Sequence, residues 1–183
     1  MQMATTTRRW TRADLANLPD DGNRYEVLDG ELFVTPQARY EHQDVAARLV
    51  IALAEYCDRH GLGRVVGPGA VIFDENELQP DVQVVPGPRP KRGTEWIDLP
   101  TPSLAIEVLS DSTARRDLGK KREAYLRIGI PTYGVVDANA RTVRVWARGS
   151  EVPALVTEVL RWQPSPDVPA LEIPIEAFLP PAT

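Results

Sequence analysis

The chain has 183 residues, 43% of them hydrophobic and 26% charged, with a formal net charge of −5. A chain of this length and balance buries one core without staples, and its single cysteine, Cys57, excludes an internal disulfide and a cysteine-rich zinc site. The acidic balance argues against non-specific coating of nucleic acid, and the lack of an apolar signal core or a membrane-length run points to a cytoplasmic setting with no membrane partner.

We read 1–183 as one domain, with an N-terminal helical extension over 1–22 and a proline-rich C-terminal wrap over 161–183. Residues 10–19 form a short helix, with Thr11 as its cap and Asp14 at the capping-box position. Residues 24–28 and 31–35 flank Asp29-Gly30, the strongest short hairpin signal in the chain. A helix follows from about residue 41 to 59, where Val45, Ala46, Leu49, Ala52, Leu53 and Tyr56 recur at helical spacing before Gly61 and Gly63 stop it. His42 shares the inward face of this helix and is read first as a hydrogen-bonded packing residue.

Strands are expected at 64–66, 70–73 and 82–85, with a polar turn at 74–77. Residues 86–93, rich in proline, arginine and lysine, make a loop, either an ordinary solvated one or a flap over a polyanion. The run Leu104-Ala105-Ile106-Glu107-Val108-Leu109-Ser110 is an apolar strand with one carboxylate inside it. Leu104, Ile106 and Val108 share one face; Ala105, Glu107 and Leu109 share the other. Residues 110–113 are a cap-rich turn before a helix from about 115 to 128. A strand pair at 133–137 and 142–146, a strand at 155–160 and a loosely wrapped C-terminus complete the chain. Helices placed singly among more numerous strands predict an α/β (α+β) fold, a mixed sheet with helices on its faces.

A buried, unpaired carboxylate is costly, so Glu107 must meet a metal, a cation or a proton. The plainer alternative is a half-exposed glutamate on an edge strand. Lys121 lies three residues after Leu118 and four before Tyr125, inside the sheet-facing stripe of its helix, while Lys120 points away and Arg122 sits at the edge. Lysine is rarely buried alone, so a carboxylate or phosphate partner is preferred over a snorkelling amine. Asp81, Glu107 and a lysine are the parts of a metal-dependent phosphodiesterase.

Six ordered stretches carry a resemblance: 24–32 (Arg24-Tyr25-Glu26-Val27-Leu28-Asp29-Gly30-Glu31-Leu32), Glu41-His42-Gln43, Pro80-Asp81-Val82, Glu107-Val108-Leu109-Ser110, 117–125 and 129–137. Over nearly its whole length the chain resembles the Uma2 family, a group of the PD-(D/E)XK superfamily with the restriction-endonuclease-like fold. The resemblance implies Asp81 as the superfamily aspartate, Glu107 as the second acid and Lys121 as the lysine relocated to the helix. An early acid should join them as a catalytic group; Glu31, Glu26 and Glu41 compete, and Glu31 is preferred. Leu109 stands where the superfamily places its lysine, and Thr132 where the family usually has an acid.

The expected cofactor is Mg²⁺ or Mn²⁺, held by Asp81 and Glu107, with His42 and Arg122 touching substrate or the groups behind the site. DNA is the expected substrate and partner, cleaved by hydrolysis, and a homodimer is compatible with the resemblance. The alternative is a catalytically inactive binding or regulatory protein on the same fold. A weaker third reading is hydrolysis of another phosphate ester.

Overall fold

The computed structural model describes residues 8–110 and 113–180. Residues 1–7 of the N-terminal extension, Asp111 and Ser112 of the cap-rich turn, and 181–183 of the wrap lie outside the described residues. Helix α1 (Arg12–Leu15) opens on the expected capping box, the Thr11 N–H donating to Asp14 Oδ2 at 2.8 Å. Strands β1 (Arg24–Leu28) and β2 (Glu31–Thr35) form the expected hairpin. Its turn needs two left-handed residues, and Asp29 and Gly30 supply φ of 51° and 88°. Helix α2 (Tyr40–His60) buries Val45, Leu49, Leu53 and Tyr56 along one stripe and ends on left-handed Gly61.

Next come β3 (Arg64–Val66), β4 (Val71–Phe73), β5 (Asn76–Leu78) and β6 (Val82–Val85). The turn expected at 74–77 is shorter than the sequence suggests, because Asn76 and Glu77 pair with Phe73 and Ile72. Asn76 is buried there, and its Oδ1 accepts the Asp29 N–H at 2.7 Å. The 86–93 loop is irregular and largely exposed, as expected. After β7 (Leu104–Val108) the chain passes through α3 (Ala114–Arg116), a π-helical turn (Asp117–Lys121) and α4 (Arg122–Arg127). The single helix expected over 115–128 is therefore three helical pieces in sequence.

Strands β8 (Thr132–Asp137) and β9 (Thr142–Ala147) pair as expected. The strand expected at 155–160 divides into β10 (Ala154–Val156) and β11 (Val159–Trp162), which join different sheets. The C-terminus is not a loose wrap. Strand β12 (Leu171–Pro174) pairs with β11, and Ile173, Ile175, Phe178 and Leu179 enter the core.

The six-stranded sheet has the order β10-β9-β8-β7-β6-β3 and a smaller sheet the order β2-β1-β5-β4. Strands β7 and β8 run parallel, bridged by the α3–α4 crossover, and the other pairs are antiparallel, so the sheet is mixed. On one face Leu104, Ile106 and Val108 pack against α2 and the C-terminal hairpin. On the other, Ala105 and Val135 pack with Tyr125, Tyr133 and Trp146. The α/β (α+β) reading, a mixed sheet flanked by helices, holds. Among the described residues no helix is long and apolar enough to cross a membrane.

Candidate functional site

Strand β7 lies between β6 and β8, so Glu107 is interior to the sheet and only 1% exposed. Its Oε1 accepts the Lys121 ammonium at 2.8 Å and the Tyr125 hydroxyl at 3.1 Å. The Lys121 amine is fully buried and also lies 2.7 Å from Glu26 Oε1, with Asp117 Oδ1 at 3.8 Å. The lysine stripe expected from spacing is thus present, and it has carboxylate partners rather than solvent.

Asp81 stands one residue before the Val82–Ile106 pair, which brings it beside Glu107 and Val108. The Val108 N–H donates to its Oδ2 at 2.8 Å, and His42 Nε2 lies 3.1 Å from the same oxygen. Arg24 Nη1 donates to Asp81 Oδ1 at 2.7 Å and to the Gln79 carbonyl at 3.1 Å. A Cβ at Gly67 would collide with the Asp81 carbonyl, so glycine at that position lets the β3 end approach the acid.

Burial works to raise the Asp81 carboxyl, but the His42 hydrogen bond, the Arg24 charge and the Val108 N–H outweigh it and hold it well below the usual carboxylate range. Burial works to lower His42, and its contact with Asp81 reverses that and raises it. Glu107 behaves differently. Burial pushes it up to about 8 against the pull of Lys121, with Asp117, Asp81 and Glu26 adding to the rise. Burial would lower Lys121, yet Glu107, Glu26 and Asp117 together raise it, so its amine stays charged. Two neighbouring acids with opposite shifts are a common sign of a working site.

The preferred early acid needs correction. Glu31 is 54% exposed and pairs with the equally exposed Lys120 at 2.6 Å, because it sits at the turn end of the hairpin. Glu41 is exposed as well. Glu26 is the early acid that shares the Lys121 amine with Glu107: it is fully buried, and its Oε1 also accepts the Gln79 N–H at 2.8 Å. A signal for this was present, since Glu26 shares its strand face with Leu28, a core residue. Arg122 also departs from expectation; its guanidinium lies 5.9 Å above the Trp146 ring and 3.3 Å from Glu123, apart from the acids. His42 touches Asp81 through its Nε2.

Sequence reasoning missed Arg24, Asp117 and Arg116. Arg116 donates to Thr35 Oγ1 at 2.9 Å and lies 3.5 Å from Glu26 Oε2. Nothing in its spacing distinguishes it from the exposed Arg115.

The donor chemistry of Asp81 and Glu107, hard carboxylate oxygens, fits a Mg²⁺- or Mn²⁺-sized ion that keeps several waters. Among the described residues no group of three or more His, Cys, Asp or Glu side chains could hold an ion. Asp81 and Glu107 are the two carboxylates that could hold such an ion, with water completing its shell.

Comparison with known proteins relates the chain to a curated relative, a solved structure and a family model. The chain is 28% identical over 104 residues to the uncharacterised protein slr1290 of Synechocystis, a stretch covering 56% of this chain and 54% of that relative. It superposes with a TM-score of 0.77 on the crystal structure of a "putative nuclease belonging to DUF820" from Anabaena variabilis, at 19% identity, covering 92% of this chain and 96% of the other. At that identity the likeness establishes the fold. Residues 12–176 match the model of the Uma2 family, described as "Putative restriction endonuclease", and the chain belongs to that family.

Proposed function

We propose that this protein is a metal-dependent endonuclease that hydrolyses DNA phosphodiester bonds, with Asp81 and Glu107 holding Mg²⁺ or Mn²⁺. One observation carries the reading: a fully buried lysine amine 2.8 Å from Glu107 and 2.7 Å from Glu26, with Asp81 fixed just before the adjoining strand. Apolar residues of the same volume would hold a fold together at least as well as such buried ion pairs, so their presence favours a chemical role.

What an ion supplies at such a site is Lewis-acid polarisation of the phosphodiester and a lower pKa for water. The protein's own part is positional. The Val108 N–H and His42 hold Asp81 in one orientation, ionised and aimed at the Glu107 strand. Lys121 and Tyr125 both hold Oε1 of Glu107 and so orient the carboxylate. The Lys121 charge, fixed in a low-dielectric surrounding, stabilises negative charge that develops on the phosphate. Glu26 keeps that amine in register from the opposite side.

The test is supercoiled plasmid incubated with Mg²⁺ or Mn²⁺ and wild type, Asp81→Asn, Glu107→Gln or Lys121→Met. Nicking by the wild type should fall about 10²-fold or more in each variant. Cleavage that survives in all three would point to a contaminant or another site.

A second reading is a binding or regulatory protein that keeps the fold without turnover. The ion pairing of Asp81 by Arg24 and Glu107 by Lys121, complete within the chain, favours it. Metal binding lost in Asp81→Asn, with no cleavage of plasmid or simple phosphodiesters by the wild type, would establish that reading instead.

A further inference from the structure

The Oδ2 atom of Asp81 is committed to the Val108 N–H and His42, which leaves Oδ1 as the oxygen open to an ion. Oδ1 already carries a cation, the Arg24 guanidinium, at 2.7 Å. The charge of Arg24 also acts on Glu107 and Glu26, so one guanidinium balances the same acids that a divalent ion would. Lys121 is 0% exposed and held by acids from two strands, whereas Arg24 is 19% exposed and reaches in from the first position of β1. Of these two cations, Arg24 is the one that can leave without opening the core.

We propose that Arg24 is a resident counterion of the metal seat, and that a divalent cation binds Asp81 only as the guanidinium withdraws from Oδ1. The inference rests on the metal-dependent reading of the site and adds a control on loading: the metal-free protein is held closed by an internal cation, and the metal must compete with it. A guanidinium and a divalent ion on one carboxylate oxygen repel each other, and in a partly buried site water screens that repulsion poorly, so the two compete for Oδ1.

Calorimetry with MnCl₂ tests this on chelator-stripped wild type, Arg24→Gln and Asp81→Asn. Arg24→Gln should bind Mn²⁺ about tenfold more tightly than wild type, the effect expected from removing one charge-assisted hydrogen bond that the ion must otherwise break. Its metal-free thermal midpoint should fall and its midpoint gain on adding Mn²⁺ should exceed that of the wild type. Asp81→Asn should bind no Mn²⁺. Equal or weaker Mn²⁺ binding by folded Arg24→Gln overturns the proposal while leaving the metal site intact. Absence of binding in wild type and Arg24→Gln alike overturns the metal-dependent reading and this inference together. Should Arg24→Gln be unfolded without metal, refolding by Mn²⁺ and not by NaCl of equal ionic strength supports the proposal, and failure to refold with Mn²⁺ overturns it.

Discussion

Burial raises the Glu107 carboxyl in the folded, metal-free protein, and the sign of the consequence follows from linkage. Its folded-state value, near 8, lies above the ordinary 4.5, so the native state binds more protons between those limits and stability falls as pH rises through them. His42 acts in the same direction: its raised value gives stability that is complete below its ordinary 6.5 and lost as pH climbs through the folded value. Asp81 acts oppositely, contributing above its ordinary 3.8 and losing that contribution on acidification. The metal-free protein should therefore be most stable in mild acid. In chelator, the urea midpoint of the wild type should decline between about pH 5 and about pH 9, and Glu107→Gln should flatten that decline by removing the proton while keeping an acceptor for Lys121 and Tyr125. Identical declines in both proteins would exclude Glu107 as the source. The sequence revealed Glu107 because a lone carboxylate in an apolar strand stands out; it did not reveal Arg24, since an arginine opening a hairpin strand is usually solvated.

At the level of the element, the α3–α4 crossover was legible in outline and not in detail. The spacing of Leu118, Lys121 and Tyr125 placed the lysine inward, which is how it lies. The π-helical turn has no residue signature of its own. It lets Asp117 and Lys121 face the acids while Tyr125 and Tyr133 stack with ring centroids 5.1 Å apart. Gly119 lies inside that turn, has no left-handed φ, and a Cβ there would meet nothing within 4 Å. Gly119→Ala should consequently stabilise the protein by about 0.5–1 kcal/mol in urea denaturation. Deleting Gly119 should do the reverse, because one residue fewer turns Lys121 about 100° relative to the helix before it. The buried carboxylates would then lose their cation, at a cost of about 3–5 kcal/mol. A deletion variant as stable as wild type would show that the extra residue of the turn does not position Lys121.

For the whole molecule, local signals were readable and sheet membership was not. The Asp29-Gly30 hairpin, α2 and the β8–β9 pair rest on contacts between chain neighbours, which turn chemistry and periodicity encode. The partner sheet of a strand depends on contacts distant in sequence, so the 155–160 run looked like one strand and the proline-rich end looked loose. Pro164, Pro166 and Pro169 in fact lie in the connection between β11 and β12, where missing N–H groups do no harm. The hairpin closes the α2 side of the sheet: Trp162 is 6% exposed, its ring 5.9 Å from that of Tyr56, whose hydroxyl donates to the Pro169 carbonyl at 2.6 Å. Trp162→Ala should therefore cost about 3–5 kcal/mol of folding stability by leaving a cavity under that hairpin. The site should be less affected, since Glu26, Lys121 and Tyr125 gather on the other side of β7, and His42 occupies the opposite end of α2 from Tyr56. Well below its melting midpoint, Trp162→Ala should bind Mn²⁺ within about a factor of two of wild type, distant sites acting independently. A stability loss below 1 kcal/mol would return the C-terminus to a loose wrap, whereas a large loss of metal affinity in the folded variant would mean that α2 transmits packing at Tyr56 to His42 and Asp81.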